Sequence, residues 1–258
     1  MSKKTDLSVN LNKIALIRNS RDTISPSVTE HAQICIDAGA DGITVHPRPD
    51  QRHIRVDDCF ALAKMLSVEF NIEGNPLAAA MKSDRNGVSD YPGFLDLVKE
   101  IKPAQCTLVP DNNNQLTSDH GFDLFESGDS LSPIIDELHS LGIRVSLFMG
   151  TDLEQINLAK QLGADRIELY TGPYAQAFMN NTNLESIFRQ FYQAGETAAE
   201  LGIGLNAGHD LNLHNLPKFA TIPQLLEVSI GHAMTVDAIK MGLDNAVHAY
   251  QQCLGKKD

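Results

Sequence analysis

The chain has 258 residues, of which 42% are hydrophobic and 21% are charged. This length suits one large barrel or two smaller domains, and the composition is that of a folded protein rather than a low-complexity or fibrous one. The 33 acidic and 21 basic residues give a net charge of −12 with the histidines neutral. That sign repels phosphate backbones and anionic lipid, so we expect neither nucleic acid nor a membrane as a partner.

Eight short runs rich in apolar and β-branched residues recur along the whole chain and are predicted as strands. They are 7–11, 42–46, 70–74, 106–110, 144–148, 166–170, 202–206 and 227–231. Between them lie segments with apolar residues at helical spacing, which are predicted as amphipathic helices. They are 27–40, 57–70, 91–103, 131–143, 152–164 and 184–203.

The alternation of strands and helices favours a closed parallel barrel. Four of the predicted helices end in Ala-Gly-Ala, Leu-Gly-Ile or Leu-Gly-Ala, where glycine suits the left-handed residue after a helix. About eight βα units in roughly 250 residues is the content of a (β/α)8 TIM barrel. An open doubly wound sheet is the alternative, but no GxGxxG follows the first strand and no linker divides the chain. We therefore predict one domain over 1–258.

Two connections are long and polar. Residues 75–90 follow the third strand, and residues 111–130 follow the fourth. Long connections in compact domains are functional or disordered, and those after barrel strands lie at the catalytic face. Both are candidates for lids, with disorder as the alternative.

The cysteines and the chain start indicate a cytoplasmic protein. Cys35, Cys59, Cys106 and Cys253 are far apart and form no CxxC pair, which indicates reduced thiols. No run approaches the roughly 18 apolar residues of a membrane helix, and the start resembles no signal peptide.

Reactive side chains collect where the predicted strands end. They are Asn10, Asn12 and Lys13 after the first strand, His46 and Arg48 after the second, Glu73, Glu168, Asn206, His209 and His232. Barrel enzymes draw their sites from several strand ends. His46, Glu73 and His209 supply groups that accept and donate protons near neutral pH. Alternatively, Glu73 pairs with Lys13, and His46 caps a loop.

Two glycine-containing strand ends favour an anion site. Asn206–His209 and Ser229–His232 each place a glycine where backbone N–H groups can approach phosphate, although a single glycine is more often a turn requirement. Arg21, Arg48 and His53 would make this pocket locally positive. The sequence thus favours a phosphorylated substrate.

Two other chemistries compete with acid/base catalysis. His46, Glu73, His209 and His232 include good zinc or iron ligands, but there is no His-x-His pair in the first strand and no HExxH. We therefore expect no metal. Lys13 is a candidate Schiff-base lysine, as in barrel aldolases, although such lysines usually come from the middle of a later strand.

Several long segments carry a family resemblance. SVNLNKIALIRNSR, AGADGITVHPRPDQRHI, FNIEG, TLVPD, VSLF, IELYTGPYA, LNAGHDL and VSIGHA run in register along nearly the whole chain. Together they resemble the pyridoxine 5′-phosphate synthase family. The resemblance implies a (β/α)8 barrel with extra helices, assembled as a homo-oligomer, commonly an octamer, and working without a metal or organic cofactor.

The resemblance also implies a reaction and roles for residues. The reaction condenses 3-amino-2-oxopropyl phosphate with 1-deoxy-D-xylulose 5-phosphate, closing a pyridine ring and releasing inorganic phosphate and water. His46 and Glu73 match proton acceptors and His209 a proton donor. Further matches are Asn10, Arg21, Gly231 and His232 as contacts to the amino-ketone phosphate, Arg48, His53 and Thr117 as contacts to the deoxyxylulose phosphate, and Glu168 as a glutamate of the barrel mouth.

The chain departs from the family pattern at three places. Asn12-Lys13 replaces a common Asp-His pair, Asp210 replaces a glycine after His209, and the segment 78–90 is longer. The alternation of side chains along a strand leaves the direction of the Lys13 side chain ambiguous. We expect this side chain to face the mouth of the barrel, with Asn12 and Lys13 as substrate contacts. Asp210 should weaken a nearby phosphate site unless its side chain turns away. A Schiff-base aldolase and a catalytically silent phosphate-binding relative stay open as alternatives.

Overall fold

The computed structural model of the chain describes residues 5–21, 23–112, 115 and 117–256. Eight parallel strands close into a barrel in chain order, with β8 pairing back to β1. The strands are β1 Asp6–Asn10, β2 Gly42–Val45, β3 Glu69–Gly74, β4 Gln105–Leu108, β5 Arg144–Met149, β6 Arg166–Tyr170, β7 Gly204–Gly208 and β8 Leu225–Ile230. The closed barrel confirms the predicted (β/α)8 fold and excludes the open sheet.

Eleven helices surround the barrel in the part of the chain that the structure describes. They are α1 Asn12–Asn19, α2 Val28–Asp37, α3 Val56–Met65, α4 Phe94–Ile101, α5 Leu124–Ser140, α6 Leu153–Gln161, α7 Gly172–Asn180, α8 Leu184–Leu201, α9 Leu216–Phe219, α10 His232–Met241 and α11 Leu243–Cys253. None of the helices among these described residues has the length and apolar character needed to cross a membrane.

The six predicted helices are present, and five others were missed. One of these, α1, begins at Asn12, and the residue before it, Leu11, provides no side-chain cap, so the start of the helix has no sequence signal. In contrast, α7 has Pro173 in its first turn, and proline at this position is a signal from which the start of the helix could have been predicted. The first strand, predicted over 7–11, ends at Asn10, and Asn12 and Lys13 lie in the first turn of α1.

Two predicted boundaries moved for local reasons. The loop predicted over 111–130 is shorter, because the Asp123 carboxylate accepts a hydrogen bond from the Phe125 N–H at 3.0 Å and starts α5 at Leu124. Residues 113, 114 and 116 of that loop lie outside the described residues. β7 starts two residues later than predicted, because Gly202 caps α8 in a left-handed conformation.

Alternate residues of each strand face two different layers. Leu7 and Val9 of β1 are buried in the apolar core between the barrel and its helices. The side chain of Ser8 between them lies 2.7 Å from Thr44 of β2, inside the barrel. Typical barrels fill this interior with branched aliphatic side chains, whereas polar groups occupy much of it here.

Charged side chains fill the barrel at the N-terminal ends of the strands. Arg166 donates to Glu227 at 3.0 Å and to Asn206 at 3.2 Å, and Arg144 pairs with Glu69. Burial and the charge of Glu69 raise the pKa of Glu227 to about 8, against the opposing charge of Arg166. Asn206, predicted at the reactive end of its strand, belongs to this interior network.

Candidate active site

A cavity of about 280 Å³ lies at the C-terminal ends of the strands. All eight strands or the segments that follow them contribute to its wall, as expected for a barrel enzyme. Its lining consists of Asn10, Asn12, Lys13, His46, Arg48, His53, Glu73, Val109, Thr117, Ser118, Phe148, Glu168, His209, Asp210, Ser229, Gly231 and His232. Every predicted site residue except Arg21 is in this set.

Arg21 is exposed in the turn that follows α1 and does not line the cavity. The helix starts at the cavity with Asn12, and eight helical residues carry the chain about 12 Å along its axis before the turn. The structure therefore does not bring Arg21 together with the other predicted residues.

Two carboxyl groups share the cavity, Glu73 from β3 and Glu168 from β6. Burial raises the pKa of Glu73 well above its usual value, and the negative charge of Glu168 adds to the shift. Burial raises the pKa of Glu168 to about 7, while the charge of His209 opposes the shift. Both carboxyls are therefore displaced toward their protonated forms, and the pKa of Glu168 lies near neutral pH.

Neighbouring groups position these two carboxyls. Asn10 Nδ2 donates to Glu73 Oε2 at 3.4 Å. Gly208 makes room for Glu168, because a Cβ at this position would lie 2.8 Å from Glu168 Oε1 and 2.5 Å from the Ser229 carbonyl oxygen. A side chain larger than hydrogen at Gly208 would displace the carboxyl or the neighbouring strand.

The imidazoles of His46 and His53 lie side by side, with ring centroids 6.3 Å apart. Burial and the charge of Arg48 lower the pKa of His46 well below its usual value. Burial, Arg48 and then Lys13 lower the pKa of His53 to about 3. Both rings are therefore neutral at neutral pH, and a neutral imidazole can accept a proton. The Asn12 side chain accepts a hydrogen bond from the His46 backbone N–H at 2.9 Å, which anchors this strand end.

The loop after β4 holds the Arg48 guanidinium. Arg48 pairs with Asp111 and donates to the Gln115 carbonyl oxygen at 3.0 Å. Asp111 also accepts from Ser118 Oγ at 2.7 Å and is buried. Sequence reasoning missed Asp111, although it directly follows the fourth predicted strand and the strand-end rule that found Glu73 applies to it.

Lys13 is partly buried and lines the cavity. Its assignment as a substrate contact stays a prediction. The strand ends at Asn10, and the first helical turn of α1 then places both Asn12 and Lys13 at the wall. Strand parity no longer applies once the chain has become helical. Lys13 and Arg48 place two cations on the cavity wall of an acidic protein.

His209 follows β7 and reaches across the cavity mouth. Its Nε2 contacts Thr117 Oγ1 of the loop after β4, and its Nδ1 lies 3.1 Å from Asp210 Oδ2. The side chain of Asp210 thus bonds to His209. Opposite, Gly231 packs against Asn10, and His232 begins α10, whose free N–H groups favour an anion.

The described residues contain no group of three or more His, Cys, Asp or Glu side chains arranged to hold a metal ion. The side chains that fill the cavity are proton carriers, amides and cations. Phe148 and Val109, which the sequence did not single out, supply its apolar wall.

Comparisons with known proteins agree with this arrangement. A family model described as pyridoxal phosphate biosynthesis protein PdxJ matches residues 7–256. The chain is 52% identical over 250 residues to pyridoxine 5′-phosphate synthase of Xanthomonas campestris pv. campestris (strain B100), covering 95% of this chain and 94% of that protein. It is 49% identical over 258 residues to the protein of the same name from Xylella fastidiosa (strain 9a5c), covering 98% and 96%.

Solved structures of low sequence identity share the fold. Thiamine phosphate pyrophosphorylase from Pyrococcus furiosus aligns with a TM-score of 0.59 at 11% identity, covering 98% of this chain and 96% of that one. A structure titled "Native KDPGal structure" aligns with a TM-score of 0.59 at 11% identity, covering 99% and 100%. At this identity the likeness concerns the barrel alone.

Proposed function

The chain belongs to the pyridoxal phosphate biosynthesis protein PdxJ family, and we propose on that premise that its barrel-mouth cavity carries out the pyridoxine 5′-phosphate synthase reaction. The chain is an enzyme of vitamin B6 biosynthesis. It condenses 3-amino-2-oxopropyl phosphate with 1-deoxy-D-xylulose 5-phosphate to pyridoxine 5′-phosphate, inorganic phosphate and water. The observation that supports the assignment of the site is the convergence of His46, Glu73 and His209 on one cavity, whose wall also carries Lys13 and Arg48.

The reaction needs repeated proton transfer. An amine attacks a ketone, water and phosphate leave, and a carbon–carbon bond closes the ring, with no net hydride or electron transfer. In the proposed assignment, neutral His46 and the Glu73 carboxyl accept protons, and His209 returns them. The raised pKa of Glu73 supports this role, because it makes the ionised carboxylate a stronger base than that of an exposed glutamate.

Both substrates carry a phosphate and the product keeps only one, so the cavity must hold two anions and let one leave. We assign the deoxyxylulose phosphate to Arg48, His53 and Thr117, with Lys13 beside them. We assign the amino-ketone phosphate to Gly231 and His232 at the start of α10, with Asn10. Because the structure leaves Arg21 outside the cavity, this assignment does not depend on it.

When both substrates are bound in one cavity, their reaction becomes effectively unimolecular, and this greatly increases the rate. The loop after β4 contributes Thr117 to the cavity wall, and its residue Asp111 holds Arg48 in place. We propose that this loop and residues 75–90 act as lids. Asn75 donates to the Asp111 carbonyl oxygen at 2.7 Å, and this bond ties the two loops together.

We further propose a single domain over 1–258 that works as a cytoplasmic homo-oligomer, commonly an octamer in proteins it resembles. All four cysteines are free thiols, as in reducing compartments. Sedimentation of the purified protein tests the assembly, and a monomer at micromolar concentration would contradict it.

The direct test of the function is incubation of the purified protein with both phosphorylated substrates while the absorbance of pyridoxine 5′-phosphate is followed. We expect product only when both are present. A borohydride trap added to the same mixtures separates the alternatives. A substrate adduct on Lys13 would favour an aldolase, and binding of both substrates without any product would favour a silent phosphate-binding relative.

A further inference from the structure

The turn after β7 carries two adjacent side chains that the reaction assignment uses only in part. His209 has a φ of +76°, which is rare for a residue other than glycine. Its backbone N–H donates to the Ser229 carbonyl oxygen at 3.1 Å. The backbone N–H of Asp210 donates to Thr171 Oγ1 at 3.2 Å. Bonds to the segments after β6 and in β8 thus fix the direction in which the His209 ring leaves the backbone.

The two nitrogens of the His209 ring have partners of different kinds. Nδ1 lies 3.1 Å from a carboxylate oxygen of Asp210, and Nε2 contacts the hydroxyl of Thr117. An ionised carboxylate only accepts hydrogen bonds, so the proton of this pair belongs to Nδ1. A hydroxyl both donates and accepts, so it tolerates Nε2 with or without a proton. Nε2 is therefore the nitrogen at which a proton is exchanged with the cavity.

We propose that Asp210 is a positioning residue that fixes the Nδ1–H tautomer of His209 and so directs proton transfer to Nε2. The inference rests on the proposed role of His209 as proton donor. The Asp210 carboxylate, which lies beside a predicted phosphate site, would thus have a function of its own. The Asp210 side chain is occupied by the His209 ring instead of pointing at the substrate.

Asp210 is held in place independently of the ring. Its backbone carbonyl oxygen accepts a hydrogen bond from Asn215 Nδ2 at 3.2 Å, and Asn215 is buried. The side chains of His209 and Asp210 are 32% and 40% exposed, so solvent screens their attraction. The contribution of Asp210 is therefore orientation and choice of tautomer rather than a large stabilising energy.

Other groups that face the His209 ring do not duplicate this role. The charge of His209 acts on Glu168 of β6 and on His46 after β2, and the ring of Tyr170 lies 6.3 Å away, edge to face. The carboxylate of Asp210 bonds to a ring nitrogen directly. Removing it should change which nitrogen carries the proton.

The test uses the full-length protein labelled with ¹⁵N-histidine and two variants, Asp210→Asn and Asp210→Ala. We expect the neutral His209 ring of the unaltered protein to show a protonated Nδ1 and an unprotonated Nε2. In both variants the Nε2–H form should become the major one. With both substrates, kcat should fall about tenfold, a fraction of what a general acid contributes, and each KM should change less than about threefold.

Asp129→Asn is the matched control, because it removes one carboxylate from the exposed face of α5. It should leave the tautomer and kcat unchanged. An unchanged His209 tautomer in Asp210→Ala would overturn the proposal, as would a kcat equal to that of the control. The tautomer is measured without substrate. Absence of product with the unaltered protein would therefore count against the proposed function and not against this role of Asp210.

Discussion

At the scale of single residues, the cavity shifts the pKa values of its buried histidines down and those of its buried glutamates up. His46 and His53 are kept neutral by burial and by the charge of Arg48, whereas Glu73 and Glu168 are pushed by burial toward their protonated forms. Groups whose pKa values are displaced in this way are typical of sites that move protons.

Glu73→Gln tests the proton-accepting role. The amide has nearly the same size and keeps the hydrogen bond to Asn10, so we expect normal folding and substrate affinity. Turnover should fall by about a hundredfold or more, the usual loss when a general base is removed. Steady-state kinetics and binding measurements check both expectations. Turnover close to that of the unaltered enzyme would remove Glu73 from the mechanism.

Lys13→Met tests which substrate the first turn of α1 contacts. Lys13 lies on the cavity wall, and its charge acts on His53. We expect weaker binding of the deoxyxylulose phosphate and unchanged binding of the amino-ketone phosphate. Equilibrium binding of each substrate separately decides the matter.

Lys64→Met on exposed α3 is the control for loss of a surface charge, which contributes less than about 1 kcal/mol. If Lys13→Met weakens the binding of both substrates equally, and no more than this control does, Lys13 does not belong to the site.

At the scale of elements, most site residues owe their place to the end of a strand, and this is why sequence reasoning found most of the cavity. His46, Glu73 and Glu168 stand at regular distances from β-branched runs that can be read directly. Arg21 could not be placed in this way, because α1 starts without a cap and takes the chain away from the mouth. The pairing of Asp210 with His209 was also hidden, since it depends on the left-handed turn at His209.

Gly208→Ala tests the close packing of β7 against β8. The added Cβ would lie 2.5 Å from the Ser229 carbonyl oxygen, and it would also crowd Glu168. We expect the free energy of unfolding to fall by about 1–3 kcal/mol, the usual cost of overpacking, together with a loss of turnover.

Gly150→Ala is the matched control, because no atom lies within 4 Å of a Cβ built there. Denaturant unfolding of both variants measures the difference. A Gly208→Ala protein as stable and active as the control would show that the strands can separate without cost.

At the scale of the whole molecule, the barrel combines a net charge of −12 with a cavity that carries Lys13 and Arg48. The acidic surface disfavours nucleic acid, and the local cations attract small phosphorylated molecules. The interior beneath the cavity is polar down to the Arg166–Glu227 pair. The fold therefore keeps several buried carboxyls whose protonation depends on pH.

The stability of the protein should consequently depend on pH through Glu168. Its pKa is about 7 in the folded chain and 4.5 as an isolated group, so between these values the folded state holds a proton that the unfolded state has lost. Stability is then highest below pH 4.5 and falls as the pH rises to 7, by about 3 kcal/mol for this group.

Glu168→Gln should remove this dependence, so the variant should gain stability relative to the unaltered protein between pH 5 and pH 8. Thermal unfolding across this range measures the gain. Glu200→Gln on exposed α8 serves as the control and should show none. A Glu168→Gln protein whose stability parallels that of the control at every pH would contradict the buried, proton-holding state of Glu168.

The central claim is that this one cavity joins two phosphorylated substrates with its own side chains. Phosphorus NMR of a single mixture of enzyme, both substrates and a chelator tests it most directly. We predict that the two substrate signals decay together and are replaced by equal amounts of inorganic phosphate and pyridoxine 5′-phosphate. Persistence of both substrate signals, or release of inorganic phosphate without the second product, would contradict the claim.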